Sequence, residues 1–119
     1  MAMIFLMRYK TVNMTTKKVQ FQLSVAAKSD LIRIRRYTRK NWGEQQATRY
    51  LNEIKQTILR LSINPSIGKE RFDVDESVFS FPHKSHVIYY FKHSERIIIL
   101  GVLHKRMLPK RHLSIAVNT

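Results

Sequence analysis

The sequence predicts an α+β domain: an N-terminal strand, then an α-helical hairpin packed on a four-stranded antiparallel sheet, in the order β-α-α-β-β-β. Three observations predict it. A short segment near residue 20 alternates apolar and polar residues. Two long segments repeat apolar residues at helical spacing. The last third carries two β-branched and aromatic runs on either side of Lys92-His93-Ser94-Glu95.

Lys18 to Ser24 sets Val19, Phe21 and Leu23 against Gln20, Gln22 and Ser24, the pattern of a half-buried strand. Ser24 is a good N-cap for the segment that follows. From Val25 to Asn41, Ala27, Leu31, Ile34, Thr38 and Trp42 fall on one helical face, and Trp42 is expected in the core or at the hairpin corner. The opposite face carries Lys28, Arg33, Arg35, Arg36, Arg39 and Lys40, with Asp30 to offset them. Gly43 breaks the helix. Glu44 opens a second, favourably placed at a positive helix N-terminus. Its stripe is Ala47, Leu51, Ile54, Ile58 and Leu61, with Tyr50 beside it, and Asn64-Pro65 closes it. So short a break implies an antiparallel helix pair.

Pro65 to Glu76 reads as a loop ending in Asp73, Asp75 and Glu76. Val78 to Phe81 reads as a short strand ended by Pro82, followed by strands over 85–91 and 96–103. Ile97 to Leu103 is apolar almost throughout, so this strand is expected to be central and covered on both faces. Alternation puts one of Tyr89 and Tyr90 in the core. Residues 1–17 are expected to be a flexible N-terminal extension, 18–107 the folded domain and 108–119 a basic tail. Met1 and Met14 are both candidate starts.

The composition narrows the function. At 119 residues and 44% hydrophobic, the chain is one folded domain, burying roughly 65% of its unfolded surface. Lys and Arg number 22 against 8 Asp and Glu, a formal charge of +14. Such an excess favours an anionic partner: nucleic acid, a membrane surface or an acidic protein. A solvated basic surface is the competing reading. With no cysteine, disulfides and thiolate metal sites are excluded, and a reducing cytoplasm is favoured. The five histidines lack zinc-site spacing; His83 and His86 straddle a strand entry, and no metal is expected. No apolar stretch approaches the roughly 20 residues that span a bilayer, so no membrane partner is expected. Glycines at 43, 68 and 101 alone make no phosphate-binding loop, and no cofactor is expected.

Several pieces together carry a resemblance. They are Val25-Ala26-Ala27-Lys28-Ser29-Asp30-Leu31, Asn41-Trp42-Gly43, and Leu61-Ser62-Ile63-Asn64-Pro65-Ser66-Ile67-Gly68-Lys69. Phe81-Pro82, Ser85-His86-Val87-Ile88-Tyr89-Tyr90 and Leu103-His104-Lys105-Arg106-Met107 complete the set. In this order and spacing, over residues 18–107, they resemble the ParE branch of the RelE/ParE superfamily, toxins of bacterial type II toxin–antitoxin pairs. The resemblance implies a non-enzymatic toxin that binds and poisons DNA gyrase. It also implies an acidic, ParD-like antitoxin as partner in a hetero-oligomer. Leu108 departs from the acidic residue usual after Met107.

Antitoxin contact is expected on the exposed side of the helical hairpin, at Arg33, Arg36, Arg39, Lys40 and Tyr50, and along an open sheet edge. Target contact is expected at His104, Lys105, Arg106, Met107 and Lys110. The alternative is a RelE-like ribosome-dependent mRNA endoribonuclease. That chemistry needs a base for the 2′-hydroxyl and cations for the phosphate, and its candidates are His104, Lys105, Arg106, Arg71 and Tyr90. A third reading is a degenerate toxin that only binds its antitoxin.

Overall fold

A computed structural model describes residues 21–113. Its elements are strand β1 (Phe21–Leu23), helices α1 (Val25–Trp42) and α2 (Glu44–Ile63), and a 3-10 turn over Pro65–Ile67. Strands β2 (Lys69–Glu70), β3 (Val78–His83), β4 (His86–His93) and β5 (Arg96–His104) follow, and then a short helix α3 (Pro109–His112). The extension expected over 1–17 and the start of the first strand lie outside the described residues.

The four expected strands and both helices are present, and the sheet departs from expectation in two ways. It has five strands, in the order β1-β5-β4-β3-β2, and it is mixed. Phe21, Gln22 and Leu23 lie parallel to Ile97, Ile98 and Ile99, whereas the other pairings are antiparallel. Alternation along a strand shows its faces and says nothing of the direction of its neighbour. The extra strand, β2, is two exposed residues pairing with Ser80 and Phe79, too short to show a period.

The helix pair covers one face of the sheet. Ala27, Ile34, Tyr50, Ile54, Ile58 and Leu61 meet Ile88, Tyr90, Ile97, Ile99 and Val102 there. A smaller cluster of Val78, Tyr89, Leu100, Leu103 and Leu113 lies together away from it. Leu113 is buried, so the start of the expected tail packs onto the domain. β5 is an interior strand, between β1 and β4, and is covered as its nearly unbroken apolar run predicts, although β4 is the middle strand of the five.

A bulge lets β5 serve both clusters. Tyr89 pairs with Gly101 but Tyr90 with Ile99, leaving Leu100 as the extra residue. Side-chain parity shifts there, so Ile99 and Val102 join one cluster while Leu100 and Leu103 join the other. Gly101 has no room for a side chain: a Cβ would stand 2.7 Å from Leu113 Cδ2 and 3.1 Å from Asp30 Oδ2. Both tyrosines are core residues, one in each cluster. Tyr90 donates its hydroxyl hydrogen to the Pro65 carbonyl at 2.6 Å.

β1 stops after three residues, and side chains of the α1 N-terminus continue its role along the outer edge of β5. Ser24 N–H donates to the Ile99 carbonyl at 3.0 Å and Ser24 Oγ to the Leu100 carbonyl at 3.1 Å. The same Oγ accepts from Ala27 N–H, which makes Ser24 the N-cap of α1. One turn on, Asp30 Oδ2 accepts from Val102 N–H at 2.9 Å. Asp30 is only 6% exposed and is held by Arg33 on its other oxygen. Burial raises its pKa above the usual carboxylate value, opposed by the Val102 N–H, Arg33 and His112. Read from sequence as an offset to surface cations, Asp30 instead ties α1 to β5.

Trp42, expected in the core or at the hairpin corner, sits at the corner and is 70% exposed. It is the last residue of α1, and Gly43, with φ +95°, swings the chain away immediately after it. A Cβ at Gly43 would touch nothing within 4 Å, so the positive φ alone calls for glycine.

Two substitutions separate the roles of Asp30. Asp30→Ala leaves Val102 N–H buried without an acceptor and is expected to cost about 1–3 kcal/mol. Asp30→Asn keeps an acceptor oxygen and removes a buried charge that the fold disfavours, so it retains most of the stability. Denaturant unfolding of both variants measures this. Equal losses would show that the Val102 hydrogen bond is not what Asp30 contributes.

Candidate functional site: a groove and a cationic tip

β5 ends at His104 and the chain turns sharply. Lys105 N–H donates to the Ser85 carbonyl at 2.9 Å, Arg106 N–H to His104 Nδ1 at 3.2 Å, and Met107 N–H to the His104 carbonyl at 2.9 Å. Arg111 N–H then bonds the Leu108 carbonyl, and Leu113 N–H the Pro109 carbonyl. The tip is therefore fixed through its backbone, while Lys105, Arg106, Met107, Leu108, Lys110 and Arg111 project into solvent. Those four cations take part in none of the ion pairs among the described residues.

Beside the tip runs a groove made of two adjoining cavities of about 570 and 480 Å³, which share Tyr37, Trp42, Ser85 and His86. One end reaches Arg33, His104 and Met107, and so opens onto the tip. The other reaches Gln46, Tyr50 and Lys84. Tyr37 and Trp42 are large, exposed aromatic side chains at the end of α1.

Three histidines form a row across the sheet at this end, His83 opposite His86 and His86 opposite His104. Tyr50 reaches down from α2 and its hydroxyl meets His86 Nδ1 at 2.7 Å. Thr57 Oγ1 meets His83 Nδ1 at 3.2 Å. Glu53 pairs with Lys84 at 2.8 Å and lies 3.4 Å from His83 Nε2, close enough for charge attraction but without hydrogen-bond alignment. Burial pushes the pKa of His86 down to about 4, helped by repulsion from His104 and His83, so the imidazole on the groove floor is neutral. Among the described residues, no three His, Cys, Asp or Glu side chains are grouped to hold a metal ion.

The residues expected at an antitoxin interface are divided by the structure. Arg33 lines the groove, held by Asp30 and by Ser29 Oγ at 2.9 Å. Arg36 and Lys40 are exposed. Arg39 is also exposed and lies 4.0 Å from Glu44, which Arg35 pairs with more closely. The cationic face of α1 is thus partly neutralised from α2, across the hairpin. Tyr50 is only 8% exposed and its hydroxyl is engaged by His86, so it supports the groove from beneath and does not belong to the exposed helical face.

The expected target residues do converge. His104 is half-buried at the groove end with Met107 beside it, and Lys105, Arg106 and Lys110 are exposed on the turn and short helix that follow. The nuclease candidates do not. Tyr90 is fully buried in the helix-facing core. Arg71 belongs with the other cluster, its guanidinium 5.4 Å from the Tyr89 ring centre. It donates to both Asp73 oxygens at 2.9 and 2.8 Å, holding the Asp73 pKa down to about 2. Arg71 is thus committed to a structural clamp, away from the groove that His104 lines. Tyr37, Trp42 and His86 were not proposed as binding residues from sequence. Tyr37 lies off the apolar stripe of α1, and Trp42 was assigned to that stripe; two aromatic residues five apart near a helix end was the available signal.

A groove floored by a sheet, walled by a helix pair and ending in a cationic turn defines a small α+β binding domain. The profile of the ParE toxin of the type II toxin–antitoxin system parDE matches residues 21–109. Toxin ParE1 of Caulobacter vibrioides is 32% identical over 93 residues, covering 78% of this chain and 96% of the relative. Toxin ParE1 of Mycobacterium tuberculosis is 34% identical over 95 residues, covering 79% and 97%. A solved structure described as the chromosomal ParDE TA system from P. aeruginosa shares the fold, with a TM-score of 0.64 at 16% identity, covering 72% of this chain and 95% of that one. This chain belongs to the ParE toxin family. Among the described residues, no helix is long and apolar enough to cross a membrane.

The neutral His86 makes stability depend on pH. The unfolded chain takes up a proton at this histidine near pH 6.5, the fold only near 4, so protonation favours unfolding between the two. The melting temperature should fall as pH drops through that interval, and His86→Gln should flatten the profile there. An unchanged slope in the variant would remove His86 as the cause.

Proposed function

We propose that this protein is the toxin of an antitoxin-regulated pair, arresting growth by binding and poisoning DNA gyrase until a cognate acidic antitoxin neutralises it. The observation that carries the reading is the extent of the family match: residues 21–109 contain the groove and the tip as far as Pro109, with Lys105, Arg106 and Met107. In this reading residues 18–107 are the toxin domain and act in the cytoplasm. His104, Lys105, Arg106, Met107 and Lys110 contact the target. The antitoxin lies in the groove against Tyr37 and Trp42 and reaches the cations Arg33, Arg36, Arg39 and Lys40, forming a hetero-oligomer.

Physical chemistry supports this division. Exposed aromatic side chains supply contact area at small entropic cost, and arginines and lysines around them suit an acidic chain that folds as it binds. Exposed cations in a turn fixed by hydrogen bonds keep their geometry when they meet an anionic target. The nuclease alternative would need Arg71, Tyr90 and His104 to act on one phosphate from separate surroundings.

Purified gyrase tests the target. Addition of the protein should accumulate cleaved DNA, and Lys105→Ala with Arg106→Ala should reduce that yield at least tenfold and relieve growth arrest, with melting temperature little changed. Loss of translation with cut transcripts and intact DNA would instead establish the ribonuclease. No growth defect on induction would identify a degenerate toxin. For the antitoxin, Tyr37→Ala with Trp42→Ala should weaken binding by at least tenfold in calorimetric titration. Undiminished affinity would place the antitoxin elsewhere.

A further inference from the structure

The turn after β5 reads Lys105-Arg106-Met107-Leu108-Pro109-Lys110-Arg111, an apolar pair with two cations on each side. Met107 is 39% and Leu108 60% exposed. Neither is exposed through slack, because the backbone from Lys105 to Met107 is tied to Ser85 and His104. Lys110 stands near enough to Asp73 to lower that carboxyl's pKa, but Asp73 is already bonded by Arg71. The cations of the turn therefore have no carboxylate of their own among the described residues.

We infer that this turn contacts duplex DNA, with its four cations on the phosphate rows and Met107 and Leu108 against the bases between them. The inference takes the target-contacting role of the tip from the reading above and assigns the chemistry of what it touches: the DNA component of the target complex. Duplex DNA presents two rows of phosphates on either side of a groove floored by base edges. Apolar side chains pressed between base steps, with cations beside them, are a recurrent way of holding it. An acidic protein surface would satisfy the cations but offers no equivalent partner for a protruding Met–Leu pair flanked by charges. Helix α1 carries cations too, but Arg33, Arg35 and Arg39 are paired with carboxylates, and its exposed Ile32, Tyr37 and Trp42 are spread along the helix and not adjacent.

Fluorescence anisotropy of the full chain with a 20-base-pair duplex, between 50 and 200 mM salt, tests this. Four phosphate contacts predict a slope of log affinity on log salt of about −3.6. Replacing Lys105, Arg106, Lys110 and Arg111 together by Ala should weaken binding at least tenfold and flatten the slope. Removing four cations from the helices, at Lys28, Arg49, Lys55 and Arg60, should change affinity by less than about threefold. Met107→Ser with Leu108→Ser should keep the slope and abolish the fluorescence rise of a 2-aminopurine placed in the duplex. Circular dichroism confirms that each variant folds. Equal losses from the tip and helix variants would mean diffuse attraction and overturn the inference, as would polyglutamate competing as well as DNA at equal charge. If the tip variant still fails to poison gyrase in either case, the tip's role in toxicity stands and only the DNA assignment falls.

Discussion

The architecture depends on how the outer edge of β5 is completed. β1 supplies a neighbour for only three residues, and beyond it the backbone of β5 would be left unsatisfied against the helices. Ser24 and Asp30 fill that gap from α1, and Asp30 does so with a buried carboxylate. The bulge at Leu100 and the absence of a side chain at Gly101 make room for it. That contact adds to the packing of Ala27 and Ile34 with Ile99 and Val102 in holding the helix pair against the last half of β5, and so in shaping the groove between α1 and the sheet.

The same contact relates the site's two parts. From Val102, where Asp30 binds, β5 continues two residues to His104, whose ring nitrogen and carbonyl both hold the following turn. Arg33, one turn along α1 from Ser29, bonds Asp30 and lines the groove that reaches Met107. The groove and the tip are therefore positioned by one strand end and one helix, close together but chemically distinct. One is aromatic with a neutral histidine floor; the other is cationic with an apolar apex. In the proposed function this allows an antitoxin and a target to use adjacent surfaces, and an antitoxin chain leaving the groove would pass the tip.

Much of this was legible in the sequence, for identifiable reasons. The apolar stripes of α1 and α2 and the two β-branched runs are long, so their periods are unambiguous. The cations after His104 are contiguous, so placing the strand end placed the tip. What sequence did not show depended on partners distant in the chain. The direction of β1 against β5 is a pairing property. Tyr89 and Tyr90 alternate as neighbours on a strand must, but both are buried because a second cluster, with Leu100, Leu103 and Leu113, covers the face away from the helices. Asp30, among arginines, looks like a surface counter-charge until Val102, 72 positions away, is brought to it. Tyr50 was misplaced, and Trp42 was left between the core and the hairpin corner, for one reason: a stripe shows which side of a helix is apolar but not where along its length the sheet ends. Tyr50 lies over the sheet and is buried; Trp42 extends past it and is exposed.

The central claim is that the tip meets the target while the groove meets the antitoxin. The chain has no cysteine, so a single reporter thiol can be placed anywhere without interference. Photocrosslinker attached at Lys105→Cys should capture the gyrase–DNA complex, and the same reagent at Gln46→Cys, on the groove rim, should capture the antitoxin and leave gyrase–DNA unlabelled. Capture of gyrase–DNA from Gln46→Cys with none from Lys105→Cys would contradict the account.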